Sequence, residues 1–379
     1  MKNVSQGNNY VSIINTDNIT KNNNKLKQTN SFIYAFSLII LLLIFIFIYI
    51  FKYGKYLSKQ VIDIKNFQNE KKSMTFSKHQ IENEQFNEFI NNKYKSYQDF
   101  FCQNEMIFNN TLIQEKLKIV KAHINNIYFD MFVYKRNGFV STSISSSGSY
   151  EFNETKSILS SLLYYSDKKN ISKSDIYVLD IGANIGWYSL TLGNEGYNII
   201  SFEPSKINYY ILLKNYCLNK DINLTIINKG LDKVDKKFFL YHPLNDIGNG
   251  VAFEGQDLLN LTNPLKEEIS ITTLKYYLDY LKTKHLVCIK LDVEGSEGKV
   301  IEGGLDLIIK YHVPFIFMEW TPDYLKLKGT DLKLFLEMFE NNGYKFSKTD
   351  FLSKNYITLD YLLNNGRKNI YFVYEKFLN

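Results

Sequence analysis

Histidine and cysteine are scarce in this chain. Its five histidines and three cysteines are scattered over 379 residues. They form no C-x-x-C pair and no zinc-ligand spacing, which excludes a zinc-finger architecture and a histidine-rich metal centre. The thiols of Cys102, Cys217 and Cys288 are expected to be buried and reduced, the last two in a core helix and a core strand. Strong charge of one sign is missing as well. A net charge of +6 is mild for this length and leaves no electrostatic footprint for a nucleic-acid partner. The most prominent glycine turn lacks the third glycine of G-x-G-x-x-G, which argues against a dinucleotide-linked oxidoreductase. What the chain does have is 45% apolar residues, enough to fill the core of one large domain or two modest ones.

Residues 1–31 are polar, asparagine-rich and without periodicity, and read as a disordered tail. Residues 32–51, FIYAFSLIILLLIFIFIYIF, carry no charge over about twenty positions, the length that crosses a bilayer as one helix. The run is too long for a signal-peptide core, and Lys52-Tyr53-Gly54-Lys55 follows it in place of a small-residue cleavage site. An uncleaved single-pass anchor is therefore expected. Lysines flank both ends, so the positive-inside rule does not set its orientation. A short tail and a single anchor resemble the arrangement of lumen-facing enzymes of the secretory pathway, which places the remainder of the chain in the lumen. Residues 52–112 are polar and mixed in charge and read as a stem. Residues 113–379 then form the folded domain. Regular alternation of apolar runs with helical stretches argues there for one parallel-dominated α/β sheet.

The stretch 176–204, IYVLDIGANIGWYSLTLGNEGYNIISFEP, reads as strand, glycine turn, helix, strand, acid. Gly182 and Gly186 allow a tight turn and close approach of a ligand. Glu203, at the carboxyl end of the second strand, is placed to accept hydrogen bonds from both hydroxyls of a ribose. Asp180 precedes the turn, and a carboxylate there suits a ligand with an ammonium group and no pyrophosphate, such as S-adenosylmethionine.

A second block, Val287-Cys288-Ile289-Lys290-Leu291-Asp292-Val293-Glu294-Gly295-Ser296-Glu297, places a lysine inside a central strand, which is expensive unless the charge is paired. Strand alternation puts Lys290 and Asp292 on one side, near the sheet edge where open α/β folds bind ligands. Asp292, Glu294 and Glu297 crowd a helix entrance, more acids than capping requires. Glu319 ends a later strand at the same edge. Three of these acids, Asp292, Glu294 and Glu319, would also suit a hard cation, although no metal is needed for the chemistry expected here.

DIGANIGWYSL, FEPS and IKLDVEGSEGKVIEGG, followed by Met318-Glu319, together resemble the FkbM family of S-adenosylmethionine-dependent methyltransferases over roughly residues 120–375. The resemblance implies a class I methyltransferase (Rossmann-like) fold: a seven-stranded, mostly parallel sheet with helices on both faces and the last strand antiparallel. It implies O-methylation of a hydroxyl on a sugar, glycan or related small molecule. Carried over by position, Asp180, Gly182, Asn184 and Gly186 would line the methionine end of the cofactor, Glu203 would hold the ribose, and Asp232 would lie near the adenine. Lys290, Asp292, Glu294 and Glu297 would face the methyl group and acceptor, with Asp292 as base and Lys290 orienting it. The rival expectation is a noncatalytic, membrane-tethered binding module that kept the fold.

Overall fold

The computed structural model describes residues 94–103, 116–136, 138–242, 251–252, 265–281 and 284–379. All of them belong to one compact unit, Lys78–Asn379. The expected tail and the apolar run 32–51 lie outside the described residues, as does most of the expected stem. Among the described residues no helix is long and apolar enough to cross a membrane.

In chain order the elements are α1 (Ser96–Gln103), β1 (Leu117–Ile124), β2 (Ile127–Tyr134), α2 (Phe139–Ser147), α3 (Phe152–Lys169), β3 (Ile176–Ile181), α4 (Trp187–Asn194), β4 (Asn198–Phe202), α5 (Lys206–Leu218) and β5 (Leu224–Ile227). Three strands of a side sheet follow, β6 (Gly230–Asp232), β7 (Lys236–His242) and β8 (Val251–Ala252), then its fourth, β9 (Leu265–Thr273). The chain continues with α6 (Leu274–Leu281), β10 (His285–Leu291), α7 (Glu297–Glu302), α8 (Leu305–Lys310), β11 (Phe315–Trp320), α9 (Pro322–Leu327) and α10 (Leu332–Asn341). It ends with β12 (Tyr344–Ser347), β13 (Tyr356–Ile357), α11 (Leu359–Leu363), β14 (Lys368–Tyr374) and α12 (Glu375–Leu378).

The main sheet runs β13-β12-β14-β11-β10-β3-β4-β5. The pairings from β5 through β11 are parallel, and β14 inserts antiparallel between β11 and β12. This is the expected mixed α/β sheet with one addition: β13, two residues long, pairs antiparallel with β12 at the edge. Successive side chains of the central strands point into two separate cores. Val178, Cys288 and Phe317 enter one, and Leu179, Ile289 and Met318 the other. Burial on both faces explains why these strands read as continuous apolar runs. Helix α10 shows how an amphipathic stretch is placed. Asp331 caps it by accepting from the Leu334 N–H at 3.0 Å, and Leu332, Phe335, Leu336 and Phe339 form its buried stripe.

Four expectations need correction. The serine-rich segment 141–149, whose composition favours a loop, is largely helix α2, closed by Gly148 in the left-handed region. The stretch 297–309, apolar enough for one continuous helix, is two helices, α7 and α8, broken at Gly303-Gly304, where a Cβ on Gly303 would lie 2.5 Å from the Asp232 carbonyl oxygen. The backbone end of β6 occupies that space, so the helix cannot continue there with a side chain. Strand β9 was not anticipated at all; its pairing with β7 is antiparallel and makes the side sheet.

The fourth concerns the stem and the thiols. Helix α1 lies in the stretch read as stem, yet it docks on the domain. Gln98 is fully buried. Its Nε2 donates to the Leu224 carbonyl at 3.0 Å, and its Oε1 accepts from the Ile226 N–H at 3.0 Å. One glutamine thus supplies the pairing that edge strand β5 otherwise lacks. Cys102 of α1 and Cys217 of α5 form a disulfide across 115 residues of sequence, with the Cα atoms 5.3 Å apart. They are not reduced thiols; only Cys288 is free and buried, as expected. A Cys217→Ser variant is predicted to lose about 2–4 kcal/mol of unfolding free energy, read by denaturant titration, with no further loss when reductant is added. A wild-type transition unmoved by reductant would remove the stabilising role assigned to the bridge.

Candidate active site

The carboxyl ends of β3, β4, β10 and β11 open into a cavity of about 880 Å³, the position where open α/β sheets bind ligands. The turn after β3 forms its floor. Gly182 sits at φ +80, and a Cβ there would lie 1.8 Å from the Asp292 carbonyl oxygen. Gly186 sits at φ +97, with Leu212 Cδ1 2.3 Å from a notional Cβ. The two glycines are therefore demanded by the neighbouring backbone and by α5. Of the two, Gly182 lines the cavity and Gly186 does not. Asn184 does line it and adopts φ 51.

Glu203 faces the cavity at the end of β4. One carboxylate oxygen accepts from the Asn184 N–H at 2.8 Å and the other from the Ser205 N–H at 2.9 Å. Burial outweighs these bonds and pushes its pKa up to about 7. Each oxygen retains a second lone pair, so a pair of ribose hydroxyls fits this carboxylate. Asp232 also lines the cavity, from the side sheet, and pairs with Lys236 at 2.8 Å.

Asp180 does not face the cavity. Its side chain is 1% exposed. It accepts from Ser189 Oγ at 2.5 Å and lies 3.3 Å from Lys290 Nζ. Register places it directly beside Lys290 on the adjacent strand, so the expected contact with a ligand's ammonium group is replaced by an internal ion pair. Lys290 Nζ also donates to the Gly182 carbonyl at 2.7 Å and lies 3.7 Å from Asp292. Burial works against this charge, but Asp180, Asp292 and Glu151 outweigh it and hold the pKa above the ordinary lysine value. Lys290 is thus a permanent cation behind the cavity wall and not a proton acceptor.

Asp292 is a third exposed and opens onto the cavity beside Glu294 and Glu319. The three present oxygens within 4.8 Å of one another, a donor set of the kind a hard cation takes. Arg367 already pairs with Glu319, its Nε 2.8 Å away. Glu294 adopts φ 53, and burial, then Asp292 and Glu319, push its pKa up to about 7. Glu297 departs from expectation. It is fully buried, accepts from the Val293 N–H at 2.9 Å and the Gly295 N–H at 3.2 Å, and closes the turn before α7 without lining the cavity. The aromatic residues Trp187, Tyr188 and Trp320 are buried in the core.

Sequence reasoning missed Tyr150, Glu151, Lys328 and Arg367, all of which line the cavity. None carries a local sign, because each arrives from an element remote in sequence. The inner face of the side sheet was missed too. Phe238, Leu240, Ile269 and Ile271 make it an apolar wall.

With this geometry in view, residues 180–346 match the family described as Methyltransferase FkbM domain. No curated protein matches the chain. Solved structures similar to it include WbdD, titled a bifunctional kinase-methyltransferase, at 14% identity and TM-score 0.34, over 58% of this chain and 39% of that one. The chain thus spans about two fifths of that protein's length. Also similar are precorrin-6y C5,15-methyltransferase from Geobacter metallireducens (15% identity, TM-score 0.29, over 63% of this chain and 100% of that one) and magnesium protoporphyrin IX methyltransferase from Synechocystis with bound SAM (10% identity, TM-score 0.29, over 63% and 85%).

Glu203, Glu294 and Glu297 all bind their protons more tightly in the folded domain than the ordinary carboxyl value of 4.5. Between that value and about 7 the folded state therefore holds more protons than the unfolded chain, and stability falls as pH rises. Denaturant titrations at pH 5.5 and 7.5 are predicted to show lower stability at the higher pH, by on the order of 2 kcal/mol for each carboxyl that titrates fully. Glu294→Gln should remove one share of the difference. A stability that rises over this interval would contradict the assigned shifts.

Proposed function

We propose that this protein is a membrane-anchored, S-adenosylmethionine-dependent O-methyltransferase acting on a hydroxyl of a sugar, glycan or related small molecule. The observation that carries the reading is the placement of Glu203 and Asp292 on one cavity, at the ends of β4 and β10 within the matched methyltransferase domain. The residues fit the cofactor. Glu203 takes the ribose hydroxyls, Asn184 and Ser205 hold Glu203 by their N–H groups, and Asp232 takes the adenine end.

When bound, the cofactor would supply a methyl group on sulfonium, already activated for transfer. What the chain must add is placement of an acceptor oxygen and a site for its proton. Asp292 takes the proton. Lys290, 3.7 Å away, fixes its side. Glu294, with a pKa of about 7, stands next to it as the carboxyl best matched to proton exchange at neutral pH. The acceptor has room, since the cavity of about 880 Å³ lies in the upper part of the range for small-molecule sites.

The run 32–51 is the anchor, and the domain lies in an oxidising compartment, the lumen of the secretory pathway. The Cys102–Cys217 bridge supports this placement, because such bonds persist where thiols are not kept reduced.

Calorimetric titration of S-adenosylmethionine into the full-length protein in detergent tests the reading. Micromolar binding is expected, with Glu203→Ala weakening it at least tenfold. Asp292→Asn should retain binding and lose at least a hundredfold in methyl transfer to hydroxyl acceptors. A folded wild-type protein that binds no S-adenosylmethionine would leave the noncatalytic binding module as the better reading.

A further inference from the structure

The methionine end of S-adenosylmethionine carries a positive charge on its ammonium group, and the acid expected to meet it, Asp180, is sealed inside the sheet with Lys290 and Ser189. Another carboxylate occupies the neighbouring space. Glu151 stands at the N-cap of α3 with φ 41 and ψ 56, in the left-handed region. That conformation is unfavourable for a non-glycine residue. An Asp, Asn, Ser or Thr at an N-cap ordinarily folds back to bond the helix N–H groups. Glu151 makes no such bond; its side chain lines the cavity instead.

The start of α3 is clamped there by the first two residues of α4, directly after the glycine turn. Trp187 Nε1 donates to Thr155 Oγ1 at 2.9 Å, and the Tyr188 hydroxyl donates to Glu151 Oε2 at 2.6 Å. The Tyr188 ring in turn lies 5.3 Å from Lys290 Nζ, which holds the Gly182 carbonyl. Tyr188 thus stations the Glu151 carboxylate beside the turn at residues 182–186 and on the Asp292 side of the cavity. Lys290, whose charge acts on it, is shared with Asp180 and Asp292. Burial, and then the charge of Asp292, hold the Glu151 carboxyl above the usual range despite the Tyr188 bond. A ligand cation is the partner this arrangement lacks.

We propose that Glu151 is the counter-ion for the ammonium group at the methionine end of S-adenosylmethionine, the role that position in the motif suggested for Asp180. The proposal rests on the cofactor reading above. Its test uses full-length protein in detergent and three ligands. S-adenosylmethionine carries both ammonium and sulfonium, S-adenosylhomocysteine the ammonium without the sulfonium, and 5′-deoxy-5′-methylthioadenosine neither. Glu151→Gln keeps the shape and the bond from Tyr188 and removes the charge. It is expected to weaken the first two ligands at least tenfold while leaving the third within twofold of wild type. Equal weakening of all three would make Glu151 a structural residue and overturn the proposal. So would unchanged affinity for S-adenosylmethionine, or a loss confined to that ligand, which would assign the charge to the sulfonium. Wild-type protein that binds none of the three would instead overturn the cofactor reading, and the Glu151 assignment with it.

Discussion

The ammonium group of Lys290, 3% exposed in the middle of a parallel sheet, joins three parts of the molecule that would otherwise be independent. It neutralises Asp180 on the neighbouring strand, holds the carbonyl of Gly182 in the turn after β3, and reaches Asp292 at the end of its own strand. Removing it would leave a buried carboxylate without compensation, a far larger penalty than the pair's net worth. The turn and Asp292 are locked together by a second constraint. Gly182 admits the Asp292 carbonyl into the space where any side chain would sit. Floor and wall of the cavity are thereby fixed to one another.

Around that rigid base the cavity concentrates carboxyl groups whose affinity for protons is raised. Glu203, Glu294 and Glu151 share the first cause, burial. Such a site is electrostatically incomplete when empty. Its carboxylates are gathered at the strand ends and at the start of α3. The side sheet adds a contrasting apolar wall, so one cavity combines a carboxyl-rich and an apolar surface.

Helix α1 shows how the domain reaches past the boundary that composition suggests. Gln98 completes the exposed ladder of β5, and Cys102 ties the same helix to α5. Burial of one polar side chain satisfies two backbone groups at once, the condition under which a buried amide stabilises and does not destabilise.

Apolar runs at regular spacing determine the strands, and burial on both faces makes them unbroken, so the succession of parallel strands along the chain is legible from the chain alone. So are the positions of Glu203 and Asp292, since acids at strand ends need no long-range information. Alternation alone puts Lys290 and Asp292 on one side, and they sit 3.7 Å apart. The direction of Asp180 was not legible, because it depends on which strand lies beside β3 and in what register. Neither was the partner of Cys102, 115 residues away, nor the reach of Glu151 to Tyr188, 37 residues away. Periodicity and turn chemistry are local and are written into the sequence. Which groups meet at the cavity is decided by contacts between remote elements, and those exist only once the sheet has assembled.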